Sequence, residues 1–115
     1  MDFKKQKPIY LQIAERLMER IAGGELAEDD RMPSVRDVAA DLGVNPNTVM
    51  RTFDHLQGEE IIYNRRGVGY FVAADARQKI LAAQRREFLD EELPAIRQRM
   101  QLLGIDFNEL NPTKQ

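Results

Sequence analysis

The chain has 115 residues, 43% hydrophobic and 31% charged, with 17 Lys/Arg against 19 Asp/Glu, one His and no Cys. That length predicts one domain, at most a domain with an appendage, and the apolar fraction is enough for a core, which excludes wholesale disorder. The missing Cys excludes disulfide frameworks, Cys-based zinc fingers and thiol catalysis, and a lone His55 argues against a Ser-His-Asp triad or a multi-histidine metal site. No metal and no cofactor are expected. No apolar run approaches the roughly 18–20 residues of a membrane span, and MDFKKQKP leads into an amphipathic stretch instead of a signal-peptide core. The expectation is a soluble, intracellular protein without a membrane partner. Its net charge of −2 stands, at first sight, against nucleic acid.

Residues 8–22 predict an amphipathic helix, with Ile9, Ile13, Leu17 and Ile21 as one apolar stripe. Pro8 suits its first turn and Gly23-Gly24 its positive-φ stop. An acidic turn, Glu28-Asp29-Asp30, follows. A second helix starts at Ser34, where Ser34-Val35-Arg36-Asp37 has the S-x-x-D form that satisfies a free N–H and favours the helix dipole. Val35, Val38, Ala39 and Leu42 make its expected buried face, and Gly43 ends it. The third helix begins two residues later, with Asn45 as N-cap, Pro46 at the first helical position and Val49, Phe53 and Leu56 as its apolar line. Gln57-Gly58 is its expected close. Two short helices joined by a tight Gly turn form a helix-turn-helix.

The period then shifts to two. Residues 61–65 and 70–72 read as strands around the turn Arg66-Gly67-Val68-Gly69. The fold class is therefore α+β: a winged helix-turn-helix over residues 1–73, then a helical tail over 74–115. In the tail, residues 75–92 predict a helix, Pro94 restarts another ended by Gly104, and Asp106-Phe107-Asn108-Glu109 opens a short last one. NPTKQ is expected to be loose.

With Val49, Phe53 and Leu56 inward, Asn47, Thr48 and Arg51 project from the opposite side of the third helix. Asn pairs bidentately with adenine, Arg with guanine, and Thr meets phosphate or a thymine methyl. The alternative for each is a solvated surface residue; their joint placement on a short helix after a tight turn favours DNA. Asn45 is either a cap or a base contact, and Pro46 is structural but near the same end. Arg36 stands in a first helical turn against the dipole, which suggests phosphate or guanine contact, or else an ion pair with a nearby acid. Ser34 caps and can reach a phosphate. Arg65, Arg66 and Gly67 at the hairpin tip suit a narrow minor groove, or a charged edge that discourages aggregation. His55 reads as a surface or partly packed side chain, and Glu28-Asp29-Asp30 and Asp90-Glu91-Glu92 as solvated surface, so no catalytic constellation emerges and an enzyme is disfavoured.

Pro8-Ile9-Tyr10-x-Gln12-Ile13, Met32-Pro33-Ser34-x-Arg36-x-Val38-Ala39, the run from Leu42 to Val49 and Gly67-x-Gly69-Tyr70-Phe71-Val72 together resemble the gluconate-repressor (GntR) superfamily of bacterial transcription regulators. Asn45-Pro46-Asn47-Thr48-Val49 and the short tail are similar to its YtrA-type branch. The resemblance implies a cytoplasmic bacterial homodimer that binds double-stranded operator DNA at an inverted repeat and usually represses, often at transporter genes. It implies that Arg36, residues 45–48, Arg51 and the wing Arg65-Arg66-Gly67 face DNA, and that the tail dimerises. Two departures stand out: Pro46 where many relatives have Arg, and Glu60 where Gly is usual after the recognition helix. Independently, Ile80, Leu81, Phe88, Leu89, Ile96, Met100 and Leu103 are too many apolar residues for two helices alone in water. They either pack back on the winged part or pair across a two-fold axis. No residue pattern demands a small-molecule effector. The rival reading is a winged-helix protein–protein module without DNA function, which the acidic total favours. Up to residue 73 the chain carries ten basic and twelve acidic groups, and seven of each follow. The expected DNA-facing set contains Arg36, Arg51, Arg65 and Arg66 and no acid, with Glu25, Glu28, Asp29 and Asp30 expected in a turn away from it.

Overall fold

The computed structural model describes residues 7–110, so the NPTKQ terminus lies outside the described residues. Helix α1 (Ile9–Ala22) buries Ile13, Ala14, Leu17 and Ile21. Ile9 is exposed, unlike its expected place in the stripe. A repeat of four drifts by about 40° per step on a 3.6-residue helix, so one end of such a line leaves the buried face. Ala14 fills the face instead. Pro8 is the N-cap, one position before the helix, and Gly24 (φ 89°) takes the left-handed turn while Gly23 stays right-handed.

Helix α2 (Val35–Leu42) is capped as its sequence predicts: the Ser34 hydroxyl accepts from the Asp37 N–H at 3.0 Å. Val38 and Ala39 are buried, but Leu42 is exposed, because Gly43 (φ 67°) turns the chain and Val44 packs on the core there in its place. Helix α3 (Pro46–Gly58) has the Asn45 Oδ1 accepting from the Asn47 N–H at 2.8 Å and Pro46 in its first turn. Val49, Thr52, Phe53 and Leu56 are fully enclosed. The helix ends at Gly58, as expected, but Gly58 is not the left-handed residue of that end. The chain instead turns at Glu60, which carries φ 61°.

Strands β1 (Ile62–Arg65) and β2 (Gly69–Val72) pair antiparallel, Ile62 opposite Val72 and Arg65 opposite Gly69. Ile61 precedes the ladder and is buried. Residues 29–32 run along the other side of β2: Asp29 N–H donates to the Val72 carbonyl, Val72 N–H to Asp30 and Met32 N–H to Tyr70, at 2.8–2.9 Å. Arg31 thereby bridges Phe71. The acidic turn is therefore the start of a short third edge on the hairpin.

Helix α4 (Ala76–Glu87) follows, then a π-helical turn (Phe88–Glu92), α5 (Leu93–Leu103) and a 3₁₀ turn (Phe107–Leu110). The chain divides into two compact units between Leu81 and Ala82. In the first, Ala76 and Ile80 join the core made by α1, α2, α3 and the hairpin. In the second, Pro94 stands in the first turn of α5, which Gly104 ends as expected, and α5 follows directly on the π turn. Proline lacks an N–H and its ring clashes with the carbonyl four residues back, here Asp90. The wider π turn, in which the Leu93 N–H bonds to the Phe88 carbonyl, takes the proline in without a break. The last turn forms as expected: Asp106 Oδ1 accepts from the Asn108 N–H, and Glu109 Oε2 from the Asp106 N–H, at 3.1 and 3.0 Å.

Three helices end alike. After α1, α3 and α5 a left-handed residue (Gly24, Glu60, Gly104) donates to the carbonyl three back, and the next residue to the carbonyl five back. This is the Schellman arrangement, in which the left-handed place is ordinarily a glycine's. In α3, Ile61 and Leu56, the pair whose contact seals such an end, are both buried.

Candidate DNA-binding surface

Helix α3 presents Asn47, Met50, Arg51 and Asp54 away from its buried line. Thr48 is half-buried at the side of that face. The N-terminal donors of α3 are already used: Asn47 N–H by the Asn45 side chain, and Thr48 and Val49 N–H by the Asn45 carbonyl at 2.9 and 3.4 Å. Pro46 has none. Any contact with an external anion at this end must therefore come from side chains, and Asn45 acts as the cap.

Arg51 does not extend freely. Its guanidinium carbon lies 4.2 Å from the centre of the Tyr10 ring in the first turn of α1. Beside it, the buried Thr52 hydroxyl donates to the Tyr10 carbonyl at 2.7 Å, and His55 meets the Tyr10 ring edge-on at 6.1 Å. His55 is thus a packed side chain. Among the described residues no group of His, Cys, Asp and Glu is placed to hold a metal ion.

Ser34 caps α2 and Arg36 stands exposed in the first turn, its side chain without a hydrogen bond or ion pair among the described residues. At the hairpin tip Arg65 lies over Phe71, 4.8 Å from the ring centre, while the Arg66 side chain is exposed and unpaired among the described residues. Gly67 adopts φ 77° and the Val68 N–H closes the turn on the Arg65 carbonyl at 2.9 Å. Arg31, which no sequence pattern singles out, ties this tip to the approach to α2: its Nη2 donates to the Val68 carbonyl at 2.6 Å. Tyr63 does the same at the hairpin base, its hydroxyl donating to Asp29 Oδ1 at 2.9 Å. The hydrogen bond to Asp29, then loss of solvent and the Asp29 charge, hold the phenol above its ordinary value of 10, with Arg65 pulling it down.

Arg36, Arg51, Arg65 and Arg66 make no ion pair among the described residues. Two acids of the 25–30 turn are engaged locally. Glu25 pairs with Arg20, and the Asp30 carboxylate accepts from the Ala27 N–H. Asp29, however, reaches the hairpin through Tyr63, so this turn is not remote from the arginines; pairing of residues 29–32 with β2 brings it there.

Of the apolar tail residues, Leu81, Phe88, Leu89, Ile96 and Leu103 are exposed. Ile80 is 2% exposed within the core of the first unit and Met100 is buried within the second, so neither is open to a second chain. Periodicity missed Leu102, which is 85% exposed, along with Phe107 and Leu110.

Residues 9–72 match the profile of bacterial regulatory proteins, gntR family. The chain is 37% identical over 108 residues to the HTH-type transcriptional regulator YhcF of Bacillus subtilis, covering 94% of this chain and 88% of that one. It is 28% identical over 111 residues to the HTH-type transcriptional repressor YtrA of the same species, covering 96% and 85%. A solved GntR family transcriptional regulator from Listeria monocytogenes is similar in structure, with a TM-score of 0.72 at 30% identity over 94% of this chain and 93% of that one.

Proposed function

Because the chain belongs to the gntR family of bacterial regulatory proteins, and is a transcriptional regulator with a DNA-binding domain, we propose that it is a sequence-specific repressor. It binds double-stranded operator DNA at an inverted repeat as a homodimer. The observation that carries this reading is the set of arginines without ion pairs among the described residues: Arg36 at the start of α2, Arg51 on α3, and Arg65 and Arg66 at the hairpin tip. In this reading Asn47 and Thr48 meet bases, Ser34 and Arg36 meet phosphate, and the tip around Gly67 enters the minor groove. Asn45 and Pro46 set the approach of α3. Similarity to YtrA, itself named a repressor, supports repression.

Dimerisation is supported by the apolar side chains of the tail, with Leu81, Phe88, Leu89, Ile96 and Leu103 at the joint, and Leu102 added. Two linked half-sites gain from effective concentration, which a single short helix and wing need. Paired recognition helices then fit half-sites about 34–36 Å apart. The proposed location is the bacterial cytoplasm; no helix among the described residues is long and apolar enough to cross a membrane.

Mobility shift with duplex DNA from its own promoter region, at stated salt, tests the proposal. The expected result is a shifted complex that weakens as salt rises and disappears with Arg36→Ala and Arg66→Ala. Absence of binding at about 50 mM salt would favour the protein–protein module. Sedimentation of Leu102→Glu with Leu103→Glu tests the dimer, and an unchanged mass would rule out this joint. Raised target transcripts on deletion of the gene distinguish a repressor from an activator.

A further inference from the structure

Arg51 and Tyr10 form a unit that neither residue's sequence context announces. A guanidinium laid over an aromatic ring keeps its in-plane N–H donors pointing outward, so it stays available to an anion while its position is fixed. Tyr10 is itself anchored to α3 next door, through the Thr52 hydroxyl on its carbonyl at 2.7 Å and His55 against its ring edge. Asp54, one turn along from Arg51, makes no ion pair with it. The Arg51 side chain is therefore drawn toward α1, to the flank of α3, and not out along the line of Asn47. A helix seated in the major groove has the phosphate strands at its flanks and the base edges beneath its tip.

We propose that Tyr10 is a positioning residue that holds Arg51 for a phosphate oxygen, so that Arg51 contacts the DNA backbone and reads no base. This rests on the DNA-binding reading above. It corrects the guanine contact that the residue type alone suggests, and leaves base discrimination on α3 to Asn47 and Thr48.

The experiment uses the full chain, a synthetic duplex carrying the operator half-sites from its promoter region, and a panel of single base-pair variants of that duplex, titrated by fluorescence anisotropy across a salt series. Arg51→Ala is expected to weaken every duplex by one common factor and to reduce the slope of log affinity against log salt by about 0.9 for each phosphate that it no longer neutralises. Tyr10→Leu is expected to weaken binding in the native background and to add nothing in the Arg51→Ala background, while Tyr10→Phe retains native binding. Thermal melts of each variant confirm folding. Relaxed preference at one base pair with an unchanged salt slope in Arg51→Ala makes Arg51 a base reader and overturns the proposal. Equal weakening by Tyr10→Leu in both backgrounds makes Tyr10 merely structural and overturns it as well. A native chain that binds no duplex overturns the DNA-binding reading, an outcome distinct from the other two.

Discussion

The Arg31 guanidinium donates to the carbonyl of Val68, 37 residues along the chain, at 2.6 Å, and its Nε lies 3.1 Å from where a side chain on Gly69 would begin. One exposed arginine thus pins the tip of the hairpin to the segment that leads into α2. Arg31→Ala is expected to cost no more than about 1 kcal/mol of global stability, because the bond is solvent-exposed. Its local effect is larger: faster amide exchange at residues 65–69 by NMR, and weaker operator binding. Gly69→Ala is expected to cost about 1–3 kcal/mol in thermal melts, since Gly69 carries φ 138° and the guanidinium occupies the space.

Glu60 occupies a left-handed position that glycine fills at the ends of α1 and α5. A side chain there costs about 1–2 kcal/mol, partly offset by the entropy glycine loses on folding. Its ion pair with Lys79, at 3.7 Å and well exposed, contributes little. Glu60→Gly is expected to raise stability by about 0.5–1 kcal/mol, a melting-point rise of a few degrees by calorimetry. Gly43→Ala, at φ 67°, should move it the other way.

Tyr63 gives the fold a dependence on alkaline pH. Its phenol is held above 10 in the folded chain, first by the hydrogen bond to Asp29, so folding favours the protonated form. The stability this contributes is complete below the unfolded value and disappears as pH rises through the folded one. Urea melts on both sides of pH 10 are expected to show the native chain losing stability relative to Tyr63→Phe as pH rises. A parallel pH profile for the two would remove Tyr63 as the source.

Phe53 is the largest fully buried side chain and meets Tyr70 edge-on with 5.0 Å between ring centres, joining α3 to the hairpin. Phe53→Ala is expected to cost about 3–5 kcal/mol in denaturant melts, and Phe53→Leu markedly less.

What the residues disclose in advance is mostly what is local. Ser34 and Asn45 accept from N–H groups within three positions and Pro46 sets its own φ in the first turn, so these helix starts are legible, as are the inward faces of Val49, Phe53 and Leu56. The end of α3 is legible only in part. Gly58 marks where the helix stops, but nothing about glutamate advertises the left-handed residue two positions on, where Ile61 and Leu56 are both buried. The edge formed by residues 29–32 is too short and too charged to show a period of two. In the candidate site, the arginines are legible as residue types on a face. Their settings are not, because Arg51 depends on Tyr10 and the hairpin tip on Arg31, each more than 35 positions away. The same holds for Ile80, whose apolar character is visible but whose neighbours are not.

The π turn before Pro94 bears on chain length. Phe88, Ile96 and Leu103 are eight and seven residues apart. On an unbroken α-helix an eight-residue step rotates a side chain about 80° out of line, whereas seven returns it to within about 20°. A π turn rotates each residue by less than an α-helix does, so the wider turn at Phe88–Glu92 offsets that excess and brings the three back toward one row. Removing one residue from that turn would leave an ordinary helix with the row unbroken. A homologue one residue shorter here would thus keep the same row, with its single-residue gap falling inside a helix where insertions are usually excluded.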